Sequence, residues 1–267
     1  MQPAASLRLV CIFLTALALA ACAGADKPAF EPQSGQPGKD VVWVPTPDAL
    51  VEKMLDMAQV TARDYVIDLG SGDGRTVITA AKRGARALGV EYNPDMVALS
   101  QRNAQKEGVA GPAGVPGKAN FVKADLFETD FSQATVITMF LLPSINLKLR
   151  PKILALKPGT RIVSNSFTMD TWESDQTETV GRDAGCTNGW CTAHLWIVPA
   201  NFAGKHKTAA GEFTLEQKFQ MLSGRLQTPQ GGAFDVSGKV RGEEAVFTAG
   251  GKAYRARLRN KTLELLP

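Results

Sequence analysis

One decapeptide constrains the fold more than any other stretch: Val66-Ile67-Asp68-Leu69-Gly70-Ser71-Gly72-Asp73-Gly74-Arg75. Its first four residues set one acid among apolar neighbours, the pattern of a strand buried on both faces of a parallel sheet. Glycines at 70, 72 and 74 then clear the backbone of side chains at a turn, and Arg75 to Arg83 continues as a helix. A bare turn lets a ligand approach the main chain, and the helix N-terminus behind it favours polar or anionic groups. The spacing predicts the nucleotide-binding corner of a doubly wound α/β fold.

The flanking sequence continues that alternation. Strands are predicted at Tyr65–Leu69, Ala85–Glu91, Asn120–Lys123, Ala134–Leu142 and Arg161–Ser166, the fourth apolar enough to be central. Helices are predicted from Asn93-Pro94 to about Lys106 and from Pro143 to Lys157, the latter kinked or broken at Pro151 with Leu149, Ile153 and Leu156 facing inward. An earlier helix is expected with Thr46 as its cap, Pro47 in its first turn and Leu50, Met54, Met57 and Ala58 at helical spacing. Strand–helix alternation implies a mostly parallel sheet covered on both faces. After about His194 the period changes. Leu195–Val198, Phe213–Met221 (with only Gln217 out of phase), Ala245–Thr248 and Tyr254–Leu258 read as strands, with turns at Ser223-Gly224 and Gly250-Gly251. The expected organisation is an α/β domain over 41–194 and a small antiparallel β module over 195–267.

Residues 1–21 read as an export signal, Arg8 preceding an apolar run from Leu9 to Ala21. The run ends in Leu19-Ala20-Ala21-Cys22, which resembles the lipobox of bacterial lipoproteins and implies lipidation of Cys22 and anchoring in the cell envelope, facing the periplasm. A plain secretory signal is one alternative, and a misassigned start that leaves a cytoplasmic protein is another. Residues 22–40, rich in Gly, Pro, Gln, Ser and Lys, read as a flexible tether. In an exported chain Cys186 and Cys191, flanking the turn pair Asn188-Gly189, read as a disulfide, two unpaired thiols being the alternative. With two histidines in the chain, no metal site is expected. The net charge of +4 is mild and no concentrated basic stripe calls for a nucleic-acid partner.

The glycine order G-x-G-x-G, with an acid two residues before it, is neither the G-x-G-x-x-G dinucleotide fingerprint nor a P-loop. An acid at that point suits a cationic ligand better than a pyrophosphate, and S-adenosylmethionine (SAM) carries an amino group and a sulfonium. Asp68-Leu69-Gly70-Ser71-Gly72-Asp73-Gly74 resembles motif I of class I SAM-dependent methyltransferases, which share a Rossmann-like fold. By that resemblance Asp68, Gly70 and Gly72 would receive the cofactor, Glu91 the ribose hydroxyls and Asp125 the adenine amino group. Val44-Pro45-Thr46-Pro47 together with the motif is similar to the family of lysine methyltransferases acting on the ATP synthase c-subunit and the adenine nucleotide translocase, over roughly residues 41–172.

The end of the fourth strand reads Phe140-Leu141-Leu142-Pro143. It lacks the Asn/Asp-Pro-Pro-aromatic tetrad of enzymes that methylate exocyclic amines of bases. Phe140, Leu141 and Pro143 could instead line an apolar channel in which a lysine amine is desolvated. The resemblance thus implies methylation of a lysine on a protein substrate, with no named general base. A non-catalytic SAM- or nucleoside-binding lipoprotein on the same scaffold is the competing reading. Weaker candidates are the Lys148, Arg150 and Lys152 helix face, Trp172 as a cover for ligand or core, His194 as a core histidine, and the Arg255, Arg257 and Arg259 face.

Overall fold

The computed structural model describes residues 30–267, so the expectations for the signal segment and Cys22 fall outside the described residues. The glycine-rich corner forms as the sequence implies. Strand β1 (Tyr65–Leu69) runs through the bend into α2 (Arg75–Lys82), and β2 (Arg86–Glu91) lies parallel beside it. Helix α1 (Asp48–Met57) precedes them; α3 (Pro94–Lys106), β3 (Ala119–Lys123), β4 (Val136–Met139), α4 (Pro143–Leu154) and β5 (Arg161–Asn165) follow. Asn93 caps α3 by accepting the Asp95 N–H at 2.8 Å, with Pro94 at the first position where its missing N–H costs nothing. Thr46 does not cap α1: its hydroxyl accepts from Asn165 at 3.3 Å, and its carbonyl from Arg75 at 2.9 Å.

The first sheet adds β6 (Gln176–Thr179) and β7 (Thr192–Ile197) in the order β3-β2-β1-β4-β5-β7-β6. Chain order reverses between β1 and β4, the switch point where such sheets bind ligands outside the strands' carboxyl ends. One face is covered by α1, α2 and α3 through Leu50, Met54, Val77, Ile78 and Val97; the other carries Leu149 and Ile153 of α4 with Trp172 and Trp196.

Four expectations are corrected. The fourth strand pairs only over Val136–Met139, because its neighbour β1 ends opposite Met139 and turns into the glycine bend, which frees Phe140-Leu141-Leu142 from the sheet. The strand at Leu195 belongs to the first sheet rather than to the module: β7 pairs antiparallel with β5 and buries Leu195 and Trp196 on opposite faces, as a strand inside a two-sided sheet must. The run Phe213–Met221 is two strands. A hairpin at Phe219 (φ 54°) separates β9 (Gly211–Lys218) from β10 (Met221–Gln227), and Gln217 leaves the apolar phase because its amide donates to Ala200 O and Phe219 O. The predicted turn at Ser223-Gly224 lies inside β10. A Cβ on Gly224 would lie 2.1 Å from Thr214 O, so glycine serves close strand approach there.

The second sheet is an antiparallel meander of β8 (Gly204–Thr208), β9, β10, β11 (Ala233–Arg241), β12 (Glu244–Ala249), β13 (Lys252–Arg259) and β14 (Thr262–Leu266). Its last strand returns beside its first around a core of Phe213, Phe247 and Tyr254, close to a barrel. It is keyed to the α/β part where Phe219 stacks on Trp172 at 5.9 Å and Lys239 reaches the buried Asp175 at 2.9 Å.

Candidate active site

The carboxyl ends of β1, β2, β3 and β4 surround a cavity of about 1040 Å³, its open mouth included. Asp68, Gly70, Gly72, Glu91 and Asp125 all line it, as do Phe140 and Leu141. Pro143 does not; it is exposed in the first turn of α4, where its ring starts the helix.

The bend is a tight cradle. Gly70, Gly72 and Gly74 have φ of 79°, 53° and 85°, a region closed to most side chains. A Cβ on Gly72 would lie 2.6 Å from the Trp43 indole nitrogen, and one on Gly74 would meet Phe121 and Ser100 at 2.7 Å. The first two glycines therefore face the cavity wall, and the third permits α2 to pack on the sheet. Asp73 and Arg75 form an ion pair at 2.6 Å, and Arg75 also reaches Thr46 O, so the bend is tied to the segment before α1.

Three carboxylates stand at three successive strand ends in different states. Asp68 is buried and accepts a 2.6 Å hydrogen bond from Thr138. Burial pushes its pKa up to about 7, aided by the negative charges of Glu91 and Asp73 and opposed by the Thr138 hydroxyl. Glu91 accepts the Gly72 N–H at 3.0 Å with one oxygen and the Asn93 N–H at 2.9 Å with the other, which fixes its plane and leaves lone pairs free. Asp125 accepts the Phe127 N–H at 2.9 Å and is paired with Lys39, whose hydrogen bond holds Asp125 below the usual carboxylate range.

That last contact belongs to an element the sequence reading missed. Residues 36–46 line the cavity as a strap, so residues 36–40 of the expected tether are part of its wall. Backbone hydrogen bonds fold it back on itself: Gly35 N–H to Trp43 O at 2.8 Å and Trp43 N–H to Gln36 O at 2.9 Å. Lys39 also lies over the Tyr92 ring at 4.7 Å. The run Val41-Val42-Trp43-Val44-Pro45 reads in the sequence as the start of ordered structure, and it is; the part that the sequence does not announce is residues 36–40.

Beyond β4, the Phe140 ring meets Phe167 and Trp190. Trp190 sits in a loop closed by a Cys186–Cys191 disulfide. The other candidates lie away from the cavity. Trp172 is fully buried; His194 is half-buried, bonded to Thr177 and held by burial below its usual pKa. Lys152 donates to Phe127 O and Thr129 O, Arg150 donates to Met169 O, Lys148 lies over Phe127, and Arg255, Arg257 and Arg259 pair with Glu244 and Glu264.

These residues fit SAM. A cradle whose glycines would clash if given side chains, a buried acid at the first strand end and a fixed carboxylate at the second suit a ligand that is an amino-acid–adenosyl cation. As a class, then, the protein is a SAM-dependent methyltransferase.

Similarity to known proteins agrees. The sequence profile of the ANTKMT methyltransferase domain matches residues 68–176. A "Protein-lysine N-methyltransferase" of Saccharolobus islandicus is 42% identical over 170 residues, covering 62% of this chain and 96% of that protein. The lysine N-methyltransferase of Rattus norvegicus named for the ATP synthase c-subunit is 36% identical over 142 residues, 53% of this chain and 62% of its own. Among solved structures, an "RNA methyltransferase from Salinibacter ruber in complex with S-Adenosyl-L-homocysteine" superposes with a TM-score of 0.52 at 44% identity, over 59% of this chain and 95% of that one. The chain belongs to this family of SAM-dependent methyltransferases.

Proposed function

We propose that the protein transfers the methyl group of SAM to the side-chain amine of lysine on a protein substrate, in the narrower group that acts on the ATP synthase c-subunit and the adenine nucleotide translocase. The observation that carries this reading is the 42% identity spanning 96% of a protein-lysine N-methyltransferase. Bound SAM supplies an electrophilic methyl group on a sulfonium. The amine lone pair forms the N–C bond, the C–S electrons return to sulfur, and the proton on the product nitrogen leaves to solvent.

The chain's residues bind and align. Asp68 would hold the cofactor's ammonium, Glu91 would accept from the ribose hydroxyls, and Asp125, freed from Lys39, would accept from the adenine amino group. Gly70 and Gly72 admit the ligand against the backbone. Phe140 and Leu141 desolvate the approaching amine, which favours the neutral form that reacts, and orientation supplies the rest.

The test is incubation with methyl-labelled SAM and either poly-L-lysine or total RNA, followed by mass spectrometry. Label on lysine nitrogen supports the reading. Label confined to RNA replaces it with the activity named for the Salinibacter structure. No binding of SAM at millimolar concentration by calorimetry removes both.

The lipobox at Leu19–Cys22 supports a lipid-anchored position in the envelope, as does a disulfide, which persists in oxidising compartments. No helix among the described residues is long and apolar enough to cross a membrane. Palmitate labelling of the wild type that disappears in Cys22→Ser is the expected result. An unlabelled protein found wholly in the cytoplasm would mean that the N-terminal segment is not an export signal.

A further inference from the structure

The cavity beneath the strap accounts for the cofactor and gives the acceptor amine two contacts, Phe140 and Leu141, but no seat for the rest of its side chain. Beside it stand three aromatic rings from three separate elements. Phe140 follows β4, Phe167 follows β5 just after Ser166 (φ 58°), and Trp190 comes from the loop between β6 and β7. Their centroids are 6.0, 5.7 and 5.5 Å apart, with planes inclined by 27°, 57° and 50°. Rings that merely close a core are buried here: Trp172 and Trp196 are both 0% exposed, whereas Trp190 is 37% exposed and the two phenylalanines are half-buried. Phe140 lines the cofactor cavity as well, so the cluster begins where that cavity ends. It lies at the carboxyl ends of β4 and β5, on the far side of the switch point from the glycine bend.

The loop that carries Trp190 is built to hold it. Cys186 is buried at 1% exposure in the core beside α1 and is bonded to Cys191 at the start of β7. Between them, Asn188 accepts the Trp190 N–H at 3.0 Å, and Gly189 takes a φ of 85°. Asn188 also donates to Pro45 O at 3.5 Å, which ties the loop to the strap over the cofactor cavity. A five-residue step between cysteines is long enough to turn and too short to let the indole wander.

We propose that Phe140, Phe167 and Trp190 form the seat of the methyl acceptor, taking the methylene stem and cationic head of lysine against their ring faces, and that the Cys186–Cys191 disulfide positions Trp190 for this role. The inference rests on the lysine-methyltransferase reading and adds the acceptor side to it. Aromatic faces attract ammonium and methylammonium groups and so hold the acceptor as it arrives, while the apolar walls at Phe140 and Leu141, where the seat meets the cavity, favour loss of the proton before transfer. Trp190 and Phe167 act on the acceptor alone; neither lines the cofactor cavity.

The test uses the full-length protein, the variants Trp190→Ala, Trp190→Phe, Phe167→Ala and Cys186→Ser/Cys191→Ser, and poly-L-lysine as acceptor. Trp190→Ala should raise the acceptor KM about tenfold, in line with loss of one partly desolvated cation–π contact, while the SAM Kd from calorimetry stays within twofold. Trp190→Phe should recover most of the loss, and the double serine variant or dithiothreitol treatment should fall between. A readout independent of turnover is quenching of tryptophan fluorescence by tetramethylammonium chloride, expected in the wild type and lost in Trp190→Phe. An unchanged KM in Trp190→Ala overturns the proposal, as does quenching that survives in Trp190→Phe. A matching rise in the SAM Kd would reassign the loop to the cofactor wall. If poly-L-lysine is never methylated and an RNA oligonucleotide is, with Trp190→Ala impairing that reaction, the rings stack bases and the lysine seat is refuted. Failure of the wild type on poly-L-lysine alone counts against the lysine-methyltransferase reading, and the quenching experiment then decides the seat by itself.

Discussion

The buried state of Asp68 makes cofactor affinity depend on pH in a defined direction. In the unliganded protein its pKa is about 7, raised first by burial and then by Glu91 and Asp73, so at pH 6 roughly nine carboxyls in ten are protonated. A cationic ammonium placed against Asp68 favours the ionised form and lowers that pKa, so binding below pH 7 must release a proton. Affinity is then full above about pH 7 and falls by roughly tenfold for each unit below it, until the pKa of the complex is reached. Above about pH 8 the α-amino group of the ligand loses its own proton, so affinity declines again and the optimum lies between the two. The sign for folding is the reverse. A carboxyl with a raised folded pKa costs the empty protein stability as pH rises from about 4 to about 7, so SAM should raise Tm more at pH 7.5 than at pH 6. Calorimetry from pH 5.5 to 8.5, in two buffers of different ionisation enthalpy, measures both the Kd and the proton count. Asp68→Asn keeps the shape and a partner for Thr138, and it should bind more weakly at pH 7.5 with the acid limb of the profile abolished. A Kd constant from pH 6 to 7.5, or an acid limb that persists in Asp68→Asn, would refute the assignment of Asp68 to the ammonium.

Other perturbations follow from the same geometry. Gly72→Ala puts a methyl group at φ 53° and 2.6 Å from the Trp43 ring nitrogen, so the strap must shift; a loss of SAM affinity of about 5- to 30-fold is expected from strain of some 1–2 kcal/mol, checked by calorimetry. Lys239→Met strips the Asp175 carboxylate, 4% exposed, of a lysine that is itself 44% exposed, and should cost about 1–2 kcal/mol in urea unfolding; a change under about 0.5 kcal/mol would show that the two sheets do not depend on this pair. Burial alone would raise the pKa of Asp64, but the Thr61 N–H, the Thr135 hydroxyl and Arg161 outweigh it and hold it below its ordinary value. Its contribution is therefore present above about pH 4 and lost as pH falls through the lowered value, and Asp64→Asn should flatten the acid limb of a Tm–pH curve.

The legible parts of the molecule are those whose physics is local. A strand that enters a glycine bend and leaves as a helix needs no distant partner to be recognised, and β1, α2 and β2 stand where the pattern puts them. Asn93-Pro94 announces the start of α3 because a cap and a helix-initiating proline act on their immediate neighbours. The β8–β14 region misled for the opposite reason. Period two holds on either side of the Phe219 hairpin, so two strands look like one, and only the out-of-phase Gln217 marks the break. Ser223-Gly224 looks like a turn by composition, yet Gly224 is there so that β9 can come close, a demand made by a strand ten residues earlier in the chain.

The strap is the more instructive case, because composition argued against it and function runs through it. Gln36-Pro37-Gly38-Lys39-Asp40 gains little by packing on itself, and without the apolar run that follows it this half of the strap has no reason to settle. It settles because the cavity offers partners that no window of sequence contains: Asp125 and the Tyr92 ring for Lys39, and the side-chain-free surface of Gly72 for Trp43. Asp125 was legible as an acid after a strand, but its occupation by Lys39 was not. A ligand that used Asp125 would have to displace a cation already there, and the strap would then take part in its binding. The disulfide loop meets the strap at Pro45, which places the walls of the cofactor and acceptor sites in contact through one backbone carbonyl. Residues 36–46 line the same cavity as the glycine bend; the bend and the Cys186–Cys191 loop could be read from their own neighbours, whereas the fold-back of residues 36–40 could not.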